Sequence, residues 1–416
     1  MRFDRIHFEK FMNIFLILII ALGLIIFLLR FKIQIGSAML VSGIFIWFCR
    51  EPTFLKLLQA FCETFTLPRT YDIIFALYLI MCLEIELRKS GALADMVKAL
   101  RKLFSGVKVL LATMPAFLGL LPSVGGARFS APIVEELSAG LNLKSERKAA
   151  INFWFRHIFE FSSPIIPGMI MACSIAGVPF GEFLKHLAWV TVLAFSVGWL
   201  VLIQKIKIPP SLKVQKSAAE IFHERQGLFL SFLPVASIFF LVAAFGLTAS
   251  VATFLVVVGM YFVLNFAKRY VGLKEIFIGA FDWKMSLNIC CILYFIQLLE
   301  VTNVLTEIVS AFQNSPLPVP VIIACVSFII GILTGMSQGH VAIVMPIVAA
   351  LGTGNLNLAG IAMAFGVAGQ MLTPTHVCLI ITIDYFKTDL LKTLKPLALC
   401  EILILTIFSV YTYLTW

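Results

Sequence analysis

Charge is scarce in this chain: only 13% of its 416 residues are Asp, Glu, Lys or Arg, and 61% are hydrophobic. Soluble domains carry about 25% charge, and a mean hydropathy of +1.01 excludes a soluble globular protein in favour of a polytopic membrane protein. No CxxC pair, HExxH or DDxxD-type acidic cluster is present, so the sequence signatures of a structural zinc site and a metalloprotease are missing. The nine cysteines mostly fall within or beside apolar runs and read as small apolar side chains, with no metal ligation expected. No small-residue cleavage site follows the first apolar run, so it reads as a helix and not a removed signal peptide. The 39 phenylalanines are ordinary lipid-facing bulk.

What charge there is carries an excess of +10. It sits in short loops between apolar spans, so it is a topology signal and predicts no nucleic-acid partner. Apolar runs of spanning length are expected at 11–29, 36–49, 71–87, 149–177 and 187–204, then, after a basic linker at 205–226, at 228–246, 249–266, 284–300, 358–383 and 396–414. Two further regions, 109–140 and 318–352, are interrupted at their middles by PSVGGARFS and TGMSQGH. They fit re-entrant hairpins, with ordinary spans joined by a tight turn as the alternative.

The halves repeat. A shift of 214 places Ser123 on Ser337, Gly125 on Gly339, Pro132 on Pro346 and Leu137 on Leu351. Ser163-Pro164 then corresponds to Thr373-Pro374, and EFLKHL to DLLKTL. The expected organisation is repeat 1 over 1–204 (hairpin 109–140, broken helix 149–177), a cytoplasmic linker over 205–226, and repeat 2 over 227–416 (hairpin 318–352, broken helix 358–383). With the basic loop 88–108 inside, 23 of the 32 Lys and Arg residues fall on the cytoplasmic side, 7 outside, and Arg128 and Arg156 within the membrane. Both termini are then outside the cytoplasmic (inner) membrane, and the second repeat is inverted relative to the first.

Inverted repeats with helix breaks at mid-membrane are the architecture of a secondary transporter. Four breaks are expected to converge: Ser123–Ser130, Ser162–Pro164, Ser337–His340 and Thr373–His376. Pro164 and Pro374 each remove a helix hydrogen bond. Beside them Ser123, Ser163, Ser337 and Thr373 can complete a sodium shell or hold a carboxylate, or simply patch a kink. The same surroundings make Gly125, Gly126, Ser130, Ser162, Gln338, Gly339, His340, Thr375 and His376 candidate substrate contacts. Arg128 suits bidentate binding of an anion, or a structural pair with Glu135 or Glu136. Arg156 and Glu160, four apart, can pair on one helix; Glu160 is otherwise a proton carrier, as are His340 and His376. Glu84, Glu86 and Glu401 lie near span ends and are expected to snorkel. A membrane-embedded enzyme using His157 and Glu160, and a passive channel, are the competing classes.

At GGARFSAP, followed by FSSP, QGH and TPTH, the sequence resembles an uncharacterised family of prokaryotic integral membrane proteins grouped with the ion transporter superfamily. That superfamily includes gluconate, citrate and dicarboxylate permeases. The resemblance implies two inverted repeats with hairpins and discontinuous helices, elevator-like alternating access and often a homodimer. The expected function is a secondary active transporter for a small anion, a symporter driven by Na⁺ or H⁺ with no organic cofactor. It assigns Ser123, Gly125 and Gly126 to the first hairpin and Ser162, Ser163 and Pro164 to the first break. Ser337, Gly339, Thr373 and Pro374 are then their counterparts. Where the sodium-coupled dicarboxylate carriers have Ser-Asn-Thr, this chain has Ser-Val-Gly and Ser-Gln-Gly. The orientation is testable with reporter fusions: alkaline phosphatase joined after Trp416 is expected to be active and one joined at Ser217 inactive. The opposite pattern would reverse the topology.

Overall fold

The protein is seen in a computed structural model, which describes residues 2–95, 106–120, 127–208 and 221–416, with side-chain detail starting at residue 14 and excluding residues 128, 221–228 and 231. Every regular element described is helical. The first half contains α1 (Arg2–Arg30), α2 (Ile35–Arg50), α3 (Phe54–Thr66), α4 (Pro68–Lys89), α5 (Val107–Gly119), α6 (Ala127–Leu137), α7 (Ser145–His157), α8 (Pro167–Ala176) and α9 (Phe180–Gly198). The second contains α10 (Ile221–Phe245), α11 (Ala249–Phe266), α12 (Leu273–Gly279), α13 (Trp283–Val301), α14 (Val304–Gln313), α15 (Val319–Thr334), α16 (Ser337–Leu351), α17 (Leu356–Met371), α18 (Val377–Phe386) and α19 (Leu390–Thr415).

Each expected apolar run coincides with helix, because a backbone in hydrocarbon must satisfy its own hydrogen bonds. Among the described residues, four helices are long and apolar enough to cross a membrane: α9 with its extension to Ile203, α11, α13 and α19. Helices α3, α12 and α14 were not expected. They have 13, 7 and 10 residues, too short for a search based on spans of about 20.

The chain divides into two compact units. The first comprises residues 1–74, 171–178 and 282–370. There α2 lies directly on α13: Asn288 Oδ1 accepts the Gly36 N–H at 2.7 Å, and Gly43 faces Phe295 and Leu298. Ala60, Leu298 and Val301 form a small core under Trp47, Leu57 and Tyr294. Helices α15 and α17 meet through glycines, Gly331 against the Gly366 carbonyl and Gly369 against the Phe328 carbonyl, which lets two backbones approach without side chains between them. Arg50 pairs with Glu307, and Arg69 with Glu300 at 3.3 Å.

The second unit comprises residues 75–170, 179–281 and 371–416. Its centre is α7, buried from Ala149 to His157 and packed by α5, α6, α9, α18 and α19. Gly119 of α5 sits against the Arg156 backbone and Gly198 of α9 against the Trp154 indole, while Trp154 Nε1 donates to the Ala194 carbonyl at 3.0 Å. Helix α9 loosens into a π turn at Trp199–Ile203. The Arg147 guanidinium donates to the Leu202 carbonyl there at 3.0 Å, a side-chain partner of the kind π turns accommodate. Charged pairs in this unit include Lys89 with Glu275 at 3.3 Å, Arg269 with Asp95 at 2.5 Å and Lys148 with Glu135 at 2.9 Å.

Two of the three glutamates expected to snorkel turn inward instead. Glu84 accepts from Arg88 one turn later at 2.9 Å. Glu86, two residues on, is about 200° around the helix; it is fully buried, and neither carboxylate oxygen has a hydrogen-bond partner among the described residues. Glu401 is 2% exposed. Helix phase, not nearness to a span end, sets where these side chains go.

The close glycine contacts predict a contrast. Gly36→Ala would drive a methyl group onto the Asn288 carbonyl and is expected to cost about 1–3 kcal/mol. Gly23→Ala, with nothing within 4 Å, is expected to be neutral or slightly stabilising. Thermal unfolding in detergent measures both, and equal melting temperatures for the two variants would contradict the packing.

Candidate functional site

Two helices break where Ser or Thr precedes Pro. Helix α7 passes into a single 3₁₀ turn at Ile158–Phe161 and stops; α17 stops at Met371. A residue before proline is pushed out of the helical region, so both chains leave the helix at Ser163 and Thr373. Each break then turns through the proline and the residue after it, and resumes as helix three residues beyond the proline, at Pro167 and Val377. The hydroxyl before the proline caps the freed amide two residues on: Ile165 N donates to Ser163 Oγ at 3.4 Å, and Thr375 N to Thr373 Oγ1 at 3.3 Å. These are the same Ser/Thr turn built twice. Ser162 is further tied to Thr191 by a hydroxyl–hydroxyl bond of 2.6 Å, and Thr373 to Thr375 by one of 2.9 Å.

In the second unit the last turn of α7 meets the start of α18. The His157 and His376 rings lie edge to face with centroids 4.8 Å apart, and Phe153 completes the cluster at 4.5 and 5.0 Å from them. His157 Nδ1 lies 2.6 Å from the Phe153 carbonyl. A carbonyl only accepts, so Nδ1 carries the proton and Nε2 keeps its lone pair. One turn earlier, Asn152 Nδ2 donates to Thr382 Oγ1 at 3.2 Å, and the Thr382 hydroxyl donates to the Cys378 carbonyl at 2.7 Å. Asn152 Oδ1 is buried without a hydrogen-bond partner among the described residues. Ligand atoms of His157, His376 and Cys378 all lie within 4.8 Å of one another.

The expected site residues distribute as follows. Ser123, Gly125, Gly126 and the Arg128 side chain lie outside the described residues. Ser130, on α6, is fully buried. The breaks holding Ser162, Ser163 and Pro164, and Thr373, Pro374, Thr375 and His376, belong to the second unit. Ser337, Gln338, Gly339 and His340 belong to the first, opening α16 directly after the two-residue link Gly335–Met336. Gly335 has φ +66° and donates its N–H to the Gly331 carbonyl at 2.9 Å, a helix stop that favours glycine. His340 is fully buried with its ring against Gly366, and neither ring nitrogen has a hydrogen-bond partner among the described residues.

The expected Arg156–Glu160 pair is not formed. The α-helix ends at His157 and tightens, so residues four apart no longer stack, and Arg156 Nη1 donates to the Leu118 carbonyl at 3.2 Å instead. Asn152, Thr382, Thr191 and Cys378 were missed. An Asn inside INFWFRH and the His-x-Cys of HVC were the available signals, but only the fold brings α7 to α18.

A family model described as "Protein of unknown function (DUF401)" matches residues 12–415. No curated protein matches the chain. Among solved structures, the chain is similar to the YdaH transporter of Alcanivorax borkumensis, described as having an unusual topology. The TM-score is 0.55 and the identity 12%, over 87% of this chain and 88% of that one. At that identity the likeness is one of fold.

The Asn152–Thr382 bond predicts a coupled pair. Asn152→Ala and Thr382→Val are each expected to cost about 1–3 kcal/mol, and the double variant less than their sum by about 1 kcal/mol, read from thermal unfolding. Strict additivity would remove the bond.

Proposed function

The chain belongs to the DUF401 family of proteins of unknown function, and on that premise we propose that it is a secondary active transporter. It moves a small anion, in our reading a carboxylate, across the cytoplasmic membrane by elevator-like alternating access coupled to Na⁺ or H⁺. The observation that carries this reading is the pair of Ser/Thr-Pro breaks with one and the same turn, Ser163 accepting from Ile165 and Thr373 from Thr375. A kink needed only for packing has no reason to recur in both halves with its hydroxyl in the same role.

The order of elements supports two repeats. Helices α1 to α4 are followed by α5 and α6, then the broken pair α7–α8 and α9. Helices α10 to α13 are followed by α14, then α15 and α16, the broken pair α17–α18 and α19. The halves of each broken helix that follow the break have the same length, 10 residues. The ion pairs agree with the proposed sidedness. Arg50 and Arg69, assigned outside, pair with Glu307 and Glu300; Lys89 and Asp95, assigned inside, pair with Glu275 and Arg269. The fold likeness to a transporter points the same way.

In this mechanism the hairpin tips and breaks supply backbone amides and hydroxyls to substrate and ion. Arg128, with Ser123, Gly125, Gly126 and Ser130, holds the anionic charge from the first hairpin. On the second hairpin Ser337, Gln338, Gly339 and His340 are the candidate contacts, and the first turn of the 15-residue α16 offers N–H groups suited to an anion. Ser162, Ser163, Thr373, Thr375 and His376 line the breaks, and Glu160 carries the proton if the coupling ion is H⁺.

Uptake of labelled carboxylates into proteoliposomes tests this, preceded by a search for the substrate among anions that raise the melting temperature with Na⁺ or at low pH. Arg128→Ala is expected to abolish uptake of the anion so identified, with insertion and folding unchanged. Wild-type uptake by that variant would remove Arg128 from the site, and gradient-independent, non-saturating flux would replace the carrier with a channel.

A further inference from the structure

The polar cluster between α7 and α18 has a composition that transport of an anion does not call for. Two imidazoles and a thiol converge inside the second unit: His157 and His376 buried, Cys378 half-buried, their ligand atoms all within 4.8 Å of one another. We propose that His157, His376 and Cys378 bind a borderline-soft divalent transition-metal ion of the zinc class, which pins the second helix break to the last turn of α7.

The donor set fits that ion. Zinc takes imidazole nitrogen at about 2.0–2.1 Å and thiolate sulfur at about 2.3 Å in a tetrahedral shell, which separates ligand atoms by roughly 3.3–3.7 Å. Closing from the observed spacing needs about 1 Å, within the reach of side-chain rotation. The ligands are of the N and S type that select zinc, cobalt or copper over magnesium, calcium or sodium.

The supporting contacts fit as well. A metal-binding histidine usually donates its other ring N–H to a carbonyl or carboxylate, which fixes its tautomer. His157 does this through Nδ1 to the Phe153 carbonyl, leaving Nε2 for the ion. Phe153 walls the cluster on one side. The chain Asn152–Thr382–Cys378 ties α7 to the turn that carries the thiol, so two of the three ligands stand on elements already bonded to each other. His376 holds the first residue position before α18 and Cys378 its second residue, placing both donors at one end of that helix. Binding displaces one proton, from the Cys378 thiol to solvent, and leaves a fourth coordination position for water. The site depends only on the fold of the second unit and stands whether or not the protein is a carrier.

Cobalt reports the site directly. Purified full-length protein, stripped with a chelator, is titrated with Co²⁺ and then with Zn²⁺. The expected result is one Co²⁺ per chain, with the intense visible bands of a tetrahedral ion and a thiolate-to-cobalt charge-transfer band, both lost on displacement by Zn²⁺. Cys378→Ser is expected to remove the charge-transfer band. His157→Ala and His376→Ala should weaken binding by more than about tenfold, and Cys49→Ser, Cys62→Ser and Cys325→Ser, at exposed positions, should change nothing. As a second reading, Zn²⁺ is expected to raise the melting temperature of the wild type and not of His376→Ala. Failure of the wild type to take up stoichiometric Co²⁺, or an unaltered spectrum in Cys378→Ser, would overturn the proposal. Anion uptake is measured separately, so failure of the metal site and failure of the carrier reading are told apart.

Discussion

A backbone amide in a lipid-filled environment has no water to fall back on, and the two helix breaks are organised by that requirement. Proline removes one helical hydrogen bond and forces the preceding residue out of helical geometry. The cost is contained because that residue is Ser163 in one break and Thr373 in the other, whose hydroxyls accept the amide two positions on. The chain therefore stops a helix, turns and starts another within a few residues, and the exposed backbone groups that remain are those available to a ligand. Elsewhere the same requirement shows as uninterrupted helix, with reversals made at residues such as Gly335 whose backbone tolerates a positive φ.

Around the breaks, packing is dense enough to hold polar residues in fixed positions. Helix α7 is buried over its last nine residues, yet it carries Asn152, Arg156 and His157. Each is met by a specific partner: the Thr382 hydroxyl, the Leu118 carbonyl and the Phe153 carbonyl. Buried polar groups with such partners set register, since sliding α7 past its neighbours would break its bonds to Thr382 on α18 and to the Leu118 carbonyl on α5. In the first unit the same precision comes from glycine, where Gly36, Gly331 and Gly369 let backbones touch. One unit is thus registered by polar bonds and the other largely by shape.

Carrier and metal-site readings draw on different parts of this arrangement. The first uses hydroxyls and amides at breaks that recur in both halves; the second uses a histidine and thiol cluster formed once, in one unit. His376 belongs to both, at the point where a break ends and α18 begins. An ion held there would fix the geometry of a break that alternating access otherwise leaves free to adjust.

Much of the fold was legible in residue order. Apolar run length located the long helices and missed the short α3, α12 and α14, and Ser-Pro and Thr-Pro located the breaks, because spanning length and proline sterics act within a few residues of the chain. TGMSQGH marked the link between α15 and α16 for the same reason. The fate of the polar side chains was not legible. Glu86 and Glu401 turned inward where snorkelling was expected, Arg156 bonded a carbonyl on α5 and not Glu160, and Cys378 joined two histidines 221 and 2 positions away. Those outcomes depend on helix phase and on which helix lies opposite, quantities that tertiary packing decides and no local pattern carries.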